Sequence, residues 1–213
     1  MNILVLGSGA REHSICWAIK KSKTCDKLFC SPGNAGIQKI AECKFINLKK
    51  KIKILNFCEK NSIDLVIIGP EEYLADGVSD YLQNNGIKTF GPVKKAAKLE
   101  TSKSFAKSFL LKNKILTPKY RKFTAVNKAL DYLNSINFPI VIKADGLAAG
   151  KGVIISKNLN EAEKTIKLMM EKKKFGDAGK KIIIEEFIDG FEISYFSFFD
   201  KKTFLPLGYA LDH

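Results

Sequence analysis

A chain of 213 residues with 46% apolar side chains can form one large or two small packed domains, and it is too polar for a membrane protein. A formal net charge of +14 invites a nucleic-acid-binding function, yet only Arg11 and Arg121 among the 36 basic residues are arginines. Base and phosphate recognition usually draws on the planar fork of arginine, and the lysines are spread along the whole chain. We therefore attribute the charge to a compositional bias, and predict neither a specific nucleic-acid partner nor a membrane partner.

Targeting and redox features favour a cytoplasmic location. The N-terminus lacks the basic segment of a signal peptide and has the pattern of a first strand. No run approaches the roughly 18 apolar residues of a membrane-spanning helix. The five cysteines are odd in number and none are paired at Cys-x-x-Cys spacing, which argues against a disulfide framework or a zinc site.

The first elements are typical of a Rossmann-type crossover. Residues 2–6 form a continuous apolar run, Gly7-Ser8-Gly9 predicts a tight turn, and helical spacing covers residues 11–21. A strand, a glycine turn and a helix in this order form a phosphate-binding site at the N-terminus of the helix. Arg11 and His13 at the helix start could hold a phosphorylated sugar, although His13 fits a surface or capping role equally well.

The dinucleotide fingerprint of such a crossover is incomplete. Glu12 occupies the position of the third glycine. The second strand, residues 27–30, ends in Ser31-Pro32 without an acidic residue that could bind a ribose. NAD binding is therefore disfavoured.

Residues 1–90 alternate predicted strands and helices, which indicates a parallel sheet. A second flexible loop, residues 31–36, follows a strand, and Pro70-Glu71-Glu72 follows another, at the carboxyl ends where ligands bind in open sheets. Further predicted elements are a helix over residues 52–61, a strand over 64–69, a helix over 76–85 and a strand over 88–90.

The second half of the chain has a mixed pattern. A long helical region over residues 93–113 ends before Thr117-Pro118. Predicted strands cover residues 119–123, 140–142, 153–155, 182–186, 191–199 and 204–211, predicted helices cover 126–135 and 160–172, and residues 175–179 form a loop.

Residues 138–155 predict a nucleotide clamp. Two β-branched runs flank an alanine-rich loop that contains three glycines and carries Lys143 and Lys151 at its sides. Small side chains allow a backbone to close over a phosphate and direct its amides at the oxygens. A simple tight turn is the alternative. A Walker A motif fits poorly, because only three residues separate Gly146 from Gly150 and Gly152 follows Lys151.

Several motifs in one order carry a family resemblance that covers essentially the whole chain. Residues 7–13, residues 32–36, Gly69-Pro70-Glu71, Ser102-Lys103, residues 141–153 and residues 184–187 together resemble the phosphoribosylamine–glycine ligases. These are ATP-grasp enzymes of purine biosynthesis. Another ATP-grasp ligase, or a non-catalytic relative, is the alternative, and the pair formed by Arg11-Glu12-His13 and residues 32–36 argues against it.

The resemblance implies an α/β fold with a Rossmann-like, phosphoribosylamine-binding domain over residues 1–100. It implies the first part of an ATP-grasp domain, of α+β type and incomplete at its C-terminus, over residues 101–213. In this family ATP phosphorylates the carboxylate of glycine, and the amine of phosphoribosylamine then attacks the glycyl phosphate. The products are glycinamide ribonucleotide, ADP and phosphate.

The resemblance also implies roles for individual residues. On the sugar side, Gly9, Ala10, Arg11 and Glu71 would hold phosphoribosylamine, with Asn34 nearby. Glu185 would face the adenine amino group, and Glu192 would accept hydrogen bonds from the ATP ribose. The remaining residues implied at ATP are Lys103 and Lys143 at the phosphates, Gly150, Lys151 and Gly152 in the covering flap of residues 149–152, and Glu186 and Phe187 at the adenine edge.

The chain stops at His213, whereas the family continues for about as many residues again. That further part holds the magnesium-binding Glu and Asn and the second half of the ATP cleft. We therefore expect the Mg²⁺ ligands to lie outside these 213 residues, and the polypeptide by itself to be an inactive fragment.

Overall fold

The strands of the N-terminal half form one five-stranded parallel sheet, as predicted. The computed structural model describes residues 1–148, 150–200 and 202–211. The sheet has the order β3-β2-β1-β4-β5. Its strands are β1 (Asn2–Gly7), β2 (Lys27–Pro32), β3 (Glu42–Cys43), β4 (Leu65–Ile68) and β5 (Thr89–Phe90). The two-residue strand β3 was not predicted, because it is too short to show a periodic pattern.

Helices cover both faces of this sheet. Side chains alternate between the faces of a strand, so β1 sends Leu4 and Leu6 into one core and Ile3 and Val5 into another. The helices are α1 (Ala10–Lys20), α2 (Lys51–Lys60), α3 (Glu71–Ala75), α4 (Val78–Asn84) and α5 (Lys94–Thr101).

A second sheet follows, antiparallel and with the order β6-β9-β7-β8. Its apolar side chains pack with the helices in a separate core that includes Ile142, Ile166 and Ile182. The strands are β6 (Tyr120–Phe123), β7 (Ile140–Ala144), β8 (Val153–Ser156) and β9 (Ile182–Glu186), and the helices are α6 (Lys103–Lys112), α7 (Val126–Leu133) and α8 (Leu159–Ile166). A π-helical turn, Lys167–Glu171, extends α8, and a 3-10 helix, Gly176–Lys180, forms where we predicted a loop.

Among the residues that the structure describes, the last two strands, β10 (Ile193–Phe199) and β11 (Phe204–Leu211), pair only with each other, in a two-stranded antiparallel sheet. They leave large apolar side chains exposed, among them Phe199 and Tyr209. Within the described ranges, none of the helices combines the length and apolarity needed to cross a bilayer.

The predicted helical region over residues 93–113 is divided into α5 and α6 at Ser102. This residue has an extended backbone, with φ −139° and ψ 105°, and its hydroxyl accepts a hydrogen bond from the backbone amide of Phe105 at 3.3 Å. Ser102 is therefore the N-cap of α6, and periodicity alone did not reveal the break because both helices keep apolar spacing. The helix predicted over residues 76–85 begins only at Val78, as α4, since Gly77 has a φ of +80° and separates it from α3, which was not predicted.

Candidate nucleotide and sugar-phosphate site

A cleft of about 770 Å³ opens beside the second sheet. It brings together five of the predicted ATP-binding residues: Lys143, Glu185, Glu186, Phe187 and Glu192. Val141, Val153 and Ile155 add an apolar wall. A concave site with an apolar wall and a few charged groups suits an aromatic ring that carries polar substituents.

A second cleft, of about 450 Å³, lies between the first sheet and the glycine-rich loop. Glu71 lines it from the carboxyl end of β4, and Lys103, Gly150 and Gly152 line it from the opposite side. Val153 borders both clefts. The predicted phosphate-binding loop and the predicted sugar-binding carboxylate therefore face the same cleft, which adjoins the larger cleft at Val153.

The glycine-rich loop is fixed at its base by the pairing of β7 with β8. The Ala144 amide donates to the Gly152 carbonyl at 2.8 Å, and a Cβ at Gly152 would lie 2.6 Å from the Cβ of Ala148. Gly150 has a φ of +76°, which favours glycine. Lys151 is exposed and is absent from the described residues that line the two clefts, while Ala149, part of the predicted flap, lies outside the described residues.

Lys103 and the glycine-rich loop are joined through Asp145. Oδ1 of Asp145 accepts from the Ser104 amide at 2.5 Å, and Oδ2 accepts from the Ser104 hydroxyl at 2.9 Å. The Lys103 amide donates to the Asp145 carbonyl at 3.0 Å, and Lys103 Nζ donates to the Gly146 carbonyl at 3.3 Å. Asp145 thus caps α6 and fixes the start of the helix that carries Lys103.

Burial acts on the pKa of both residues. Desolvation lowers the pKa of the Lys103 ammonium, because the charged form loses water and the nearby carboxylates offset only part of that loss. Burial alone would raise the pKa of Asp145, but hydrogen bonds from Ser104 and the ammonium of Lys181 outweigh it and hold that pKa below its ordinary value. Asp145 is therefore an anion at neutral pH.

Glu185 is buried beneath the larger cleft between two ammonium groups. Its Oε2 lies 2.9 Å from Nζ of Lys107, and Nζ of Lys143 lies 3.2 Å from each carboxylate oxygen. The side chain of Glu185 is 2% exposed and that of Lys143 is 27% exposed. The predicted contact of Glu185 with adenine stays a prediction, and within the protein this carboxylate is bound by lysines.

Glu186 lies at the end of β9, with an exposed side chain. Its Oε1 accepts a hydrogen bond from the Lys119 amide at 2.8 Å, and its own amide donates to the Lys119 carbonyl at 3.0 Å. These bonds attach the end of β9 to the segment that enters β6. The backbone of Glu186 and Phe187 is thereby held at the rim of the larger cleft.

Next to the first sheet, the side chain of Glu12 fills the space beside Gly7, Gly9 and Gly69. The Gly9 amide donates to Oε2 of Glu12 at 2.6 Å, and a Cβ at Gly69 would lie 2.1 Å from Oε1 of Glu12. Glu12 is 5% exposed, so its carboxylate is buried under the turn. This packing explains the departure from the dinucleotide fingerprint. A third glycine would allow the helix and the strand to pack closely, whereas here the side chain of Glu12 fills the space between them.

The loop over residues 31–36 is tied to this turn by two of the predicted residues. Nδ2 of Asn34 donates to the Ser8 carbonyl at 2.8 Å, and its Oδ1 accepts from the Ile37 amide at 2.9 Å. A Cβ at Gly36 would lie 2.5 Å from Cε1 of His13, so the imidazole packs directly on the loop. Asn34 and His13 hold the loop in place, and the same contacts occupy the polar groups of Asn34.

Arg11 connects the helix α1 with the carboxyl end of β4. Its Nη1 lies 3.2 Å from Oε1 of Glu71, and both side chains have exposed surface. Gly9 and Ala10 lie at the start of α1, beside Arg11. The predicted sugar-binding residues therefore meet at the same edge of the parallel sheet.

Sequence reasoning missed Lys107 and Asp145. Lys107 follows Lys103 by four residues, so the two lysines share one face of α6, and this spacing was the available signal. Asp145 follows β7 immediately, but no local pattern indicates that it caps a helix 41 residues earlier. In the described ranges, no group of three or more His, Cys, Asp or Glu side chains is arranged to hold a metal ion.

Two family models match the chain. The N domain of phosphoribosylglycinamide synthetase matches residues 1–100, and its ATP-grasp (A) domain matches residues 101–213. Curated relatives named phosphoribosylamine–glycine ligase include proteins from Fusobacterium nucleatum, 49% identical, and Clostridium acetobutylicum, 44% identical. These alignments cover 100% of this chain and 50% and 51% of the relatives, so the chain spans about half their length.

Solved structures give the same relationship. Phosphoribosylamine–glycine ligase from Thermotoga maritima has a TM-score of 0.80 and 31% identity, over 98% of this chain and 49% of that one. The fold is shared by N5-carboxyaminoimidazole ribonucleotide synthetase from Thermus thermophilus. Its TM-score is 0.72 and its identity 16%, over 99% of this chain and 54% of that one. Together the two domain matches, the relatives and the shared fold show that this chain belongs to the phosphoribosylglycinamide synthetase family.

Proposed function

We propose that this chain supplies the sugar-phosphate site and the first half of the ATP site of a cytoplasmic phosphoribosylamine–glycine ligase. The enzyme joins glycine to 5-phosphoribosylamine and yields glycinamide ribonucleotide, ADP and phosphate. Residues 1–100 form the phosphoribosylamine-binding domain, and residues 101–213 belong to the ATP-grasp domain.

One observation carries this proposal. Glu71, on the sugar side, lines the same cleft as Lys103, Gly150 and Gly152, on the phosphate side. The cleft of about 450 Å³ can hold the reacting groups of two substrates, and it borders the larger cleft at Val153. Shared walls of this kind allow an activated acyl group to form beside the amine that attacks it.

The chemistry requires activation of a carboxylate. An oxygen of the glycine carboxylate attacks the γ-phosphorus of ATP, and ADP leaves. The amine of phosphoribosylamine then attacks the carbonyl carbon of glycyl phosphate, a C–N bond forms, the C–O bond to phosphate breaks, and the amine loses a proton. Negative charge on the phosphoryl oxygens needs positioned cations and amides rather than covalent help from the protein.

The larger cleft suits the nucleotide. Lys143 from the larger cleft and Lys103 from the smaller cleft beside it face the phosphates, and the loop that contains Gly150, Lys151 and Gly152 covers them. The adenosine end is held by Glu185, by the backbone of Glu186 and Phe187, and by Glu192 at the ribose. The apolar wall that Val141 and Ile155 contribute supports a planar base in this position.

The smaller cleft suits the sugar phosphate. Beside this cleft, Ala10 and Arg11 at the start of α1 offer amides and a cation to the phosphate, and Gly9, whose own amide is bound to Glu12, forms the turn before them. Glu71 accepts hydrogen bonds from the sugar, and Asn34 positions the neighbouring loop. Mg²⁺ accompanies ATP in this family, and the described residues offer no cluster of three ligating side chains for it.

Binding measurements on the 213-residue chain test the proposal. We expect ATP and glycinamide ribonucleotide, titrated singly by isothermal titration calorimetry, each to bind saturably at one site per chain. Titrated together, ATP or ADP and the ribonucleotide should bind without competition, because they occupy adjoining clefts.

A short duplex DNA is the control for unspecific binding to lysines. If affinity for DNA fell steeply with salt while no saturable ATP site could be measured, a basic nucleic-acid-binding protein would be the better assignment. Mutual exclusion of ATP and glycinamide ribonucleotide would contradict the proposal that they bind in adjoining clefts.

A further inference from the structure

Lys107 is a buried lysine whose three donors are all directed at the protein. Its side chain is 9% exposed. Nζ lies 2.8 Å from the Thr117 hydroxyl, 3.4 Å from the Pro118 carbonyl and 2.9 Å from Oε2 of Glu185. An ammonium group has three N–H donors, so these three acceptors use all of them. Lys107 therefore has no donor left for a ligand, and its contacts hold Glu185 in place.

Glu185 is shared between this buried lysine and a lysine that borders the nucleotide cleft. Lys143 approaches both carboxylate oxygens at 3.2 Å and lines the larger cleft, with part of its surface exposed. The two cations differ in freedom, because Lys107 is anchored by Thr117 and Pro118, whereas Lys143 has only Glu185 as a side-chain partner among the described residues.

We propose that Lys107 is a positioning residue that keeps Glu185 paired, so that Lys143 can turn from this carboxylate to the phosphates of the nucleotide. The inference rests on the proposed function, in which Lys143 binds ATP phosphate. A buried carboxylate with no cation is strongly unfavourable. Without Lys107, movement of Lys143 toward phosphate would leave Glu185 unpaired, and Lys143 would stay on the carboxylate.

The test compares ATP affinity in substituted forms of the 213-residue chain. We expect Lys107→Met to weaken ATP binding about tenfold or more, since the phosphate contact of Lys143 is lost. The further change Glu185→Gln in that variant should raise the affinity for ATP relative to that for adenosine, because a neutral amide no longer retains Lys143. The comparison with adenosine corrects for the contact that Glu185 is proposed to make with the base. Lys112→Met, on the exposed end of the same helix, is the matched control and should bind ATP like the unsubstituted chain.

Adenosine separates this role from a merely structural one. Adenosine has no phosphate, so Lys107→Met should change its affinity much less than that of ATP. Equal loss of both affinities, or a Lys107→Met Glu185→Gln chain whose ratio of ATP affinity to adenosine affinity is no higher than that of Lys107→Met, would overturn the inference.

Two more variants keep the inference falsifiable if Lys107→Met does not fold. Lys107→Gln keeps donors for Thr117 and Pro118 but removes the charge, and it should weaken ATP more than adenosine. Lys107→Arg keeps the charge and should retain most of the ATP affinity. Failure of the unsubstituted chain to bind ATP would instead count against the proposed function. If Lys143→Met weakened ATP binding and Lys107→Gln did not, the inference on Lys107 would be refuted, whereas the proposed function would stand.

Discussion

Nη1 of Arg11 lies 3.2 Å from Oε1 of Glu71, although the two residues are 60 positions apart in the chain. This contact joins the start of α1 to the carboxyl end of β4, since β1 and β4 are parallel neighbours in the sheet. The side chains are 86% and 42% exposed, so the ion pair itself adds little stability. In the proposed function its importance is in the geometry, because a cation and an acceptor would be presented side by side to a sugar phosphate.

We predict that Glu71→Gln weakens the binding of glycinamide ribonucleotide about tenfold, or about 1.4 kcal/mol, with a smaller effect on ATP. The amide keeps the size of the side chain but loses the charge that strengthens hydrogen bonds from sugar hydroxyls. Calorimetric titration of both ligands measures the difference. Glu59→Gln, at an exposed position of α2, is the control, and an effect of Glu71→Gln on ATP alone would assign this residue to the other ligand.

A second prediction concerns Lys143. Lys143→Ala should weaken ATP binding by about 2 kcal/mol, within the range found when one stabilising contact to developing charge is removed from a desolvated site. Glu185 keeps Lys107 as its partner at 2.9 Å, so the fold should be retained. Lys157→Ala, at an exposed position just after β8, should leave ATP affinity unchanged. Unchanged ATP affinity in Lys143→Ala would contradict the assignment of the larger cleft.

The pH dependence of the free energy of unfolding should reveal the stabilising contribution of the Asp145 carboxylate. Hydrogen bonds from Ser104 and the ammonium of Lys181 hold the folded-state pKa of Asp145 below its ordinary value, so its ionised form stabilises the folded state. This contribution is complete above the unfolded pKa and is lost as pH falls through the folded pKa. We expect Asp145→Asn to lower the free energy of unfolding by about 1–3 kcal/mol at pH 7, because charge-assisted hydrogen bonds to Ser104 are weakened.

Urea unfolding at several pH values measures this effect. The difference between the Asp145→Asn chain and the unsubstituted chain should decrease as pH falls below the unfolded pKa of Asp, about 3.9. Asp131→Asn, at an exposed position on α7, is the control, and it should change the free energy of unfolding little at any of these pH values. A difference that stays constant with pH would show that the charge of Asp145 does not stabilise the start of α6.

The packing of Glu12 under Gly69 gives a fourth prediction. A Cβ at Gly69 would lie 2.1 Å from Oε1 of Glu12, so Gly69→Ala should destabilise the fold by about 1–3 kcal/mol through overpacking. Glu12→Ala removes the side chain that causes this clash. The two substitutions should therefore be less destabilising together than the sum of their separate effects. Additive losses in urea unfolding would contradict the clash with Glu12 as the cause of the destabilisation by Gly69→Ala.

The sequence by itself determined the elements whose pattern is local. The apolar run of β1 and the glycine turn after it predicted a parallel Rossmann-like sheet, because burial on both faces of a strand leaves a continuous apolar pattern. The ordered motifs around Glu71, Lys103 and Lys143 predicted the family, and the family models match the whole chain. Short features escaped this reasoning, as β3 did with its two residues.

The tertiary structure alone decided which of these residues meet. Ser102 ends one helix and caps the next, and Asp145 reaches back to that cap from a strand far along the chain. Glu185 is placed between Lys107 and Lys143 by the pairing of β7 with β9 and by the packing of α6. Periodicity records whether a side chain faces the interior, whereas the partner it finds there depends on contacts between segments tens of residues apart, which no local pattern encodes.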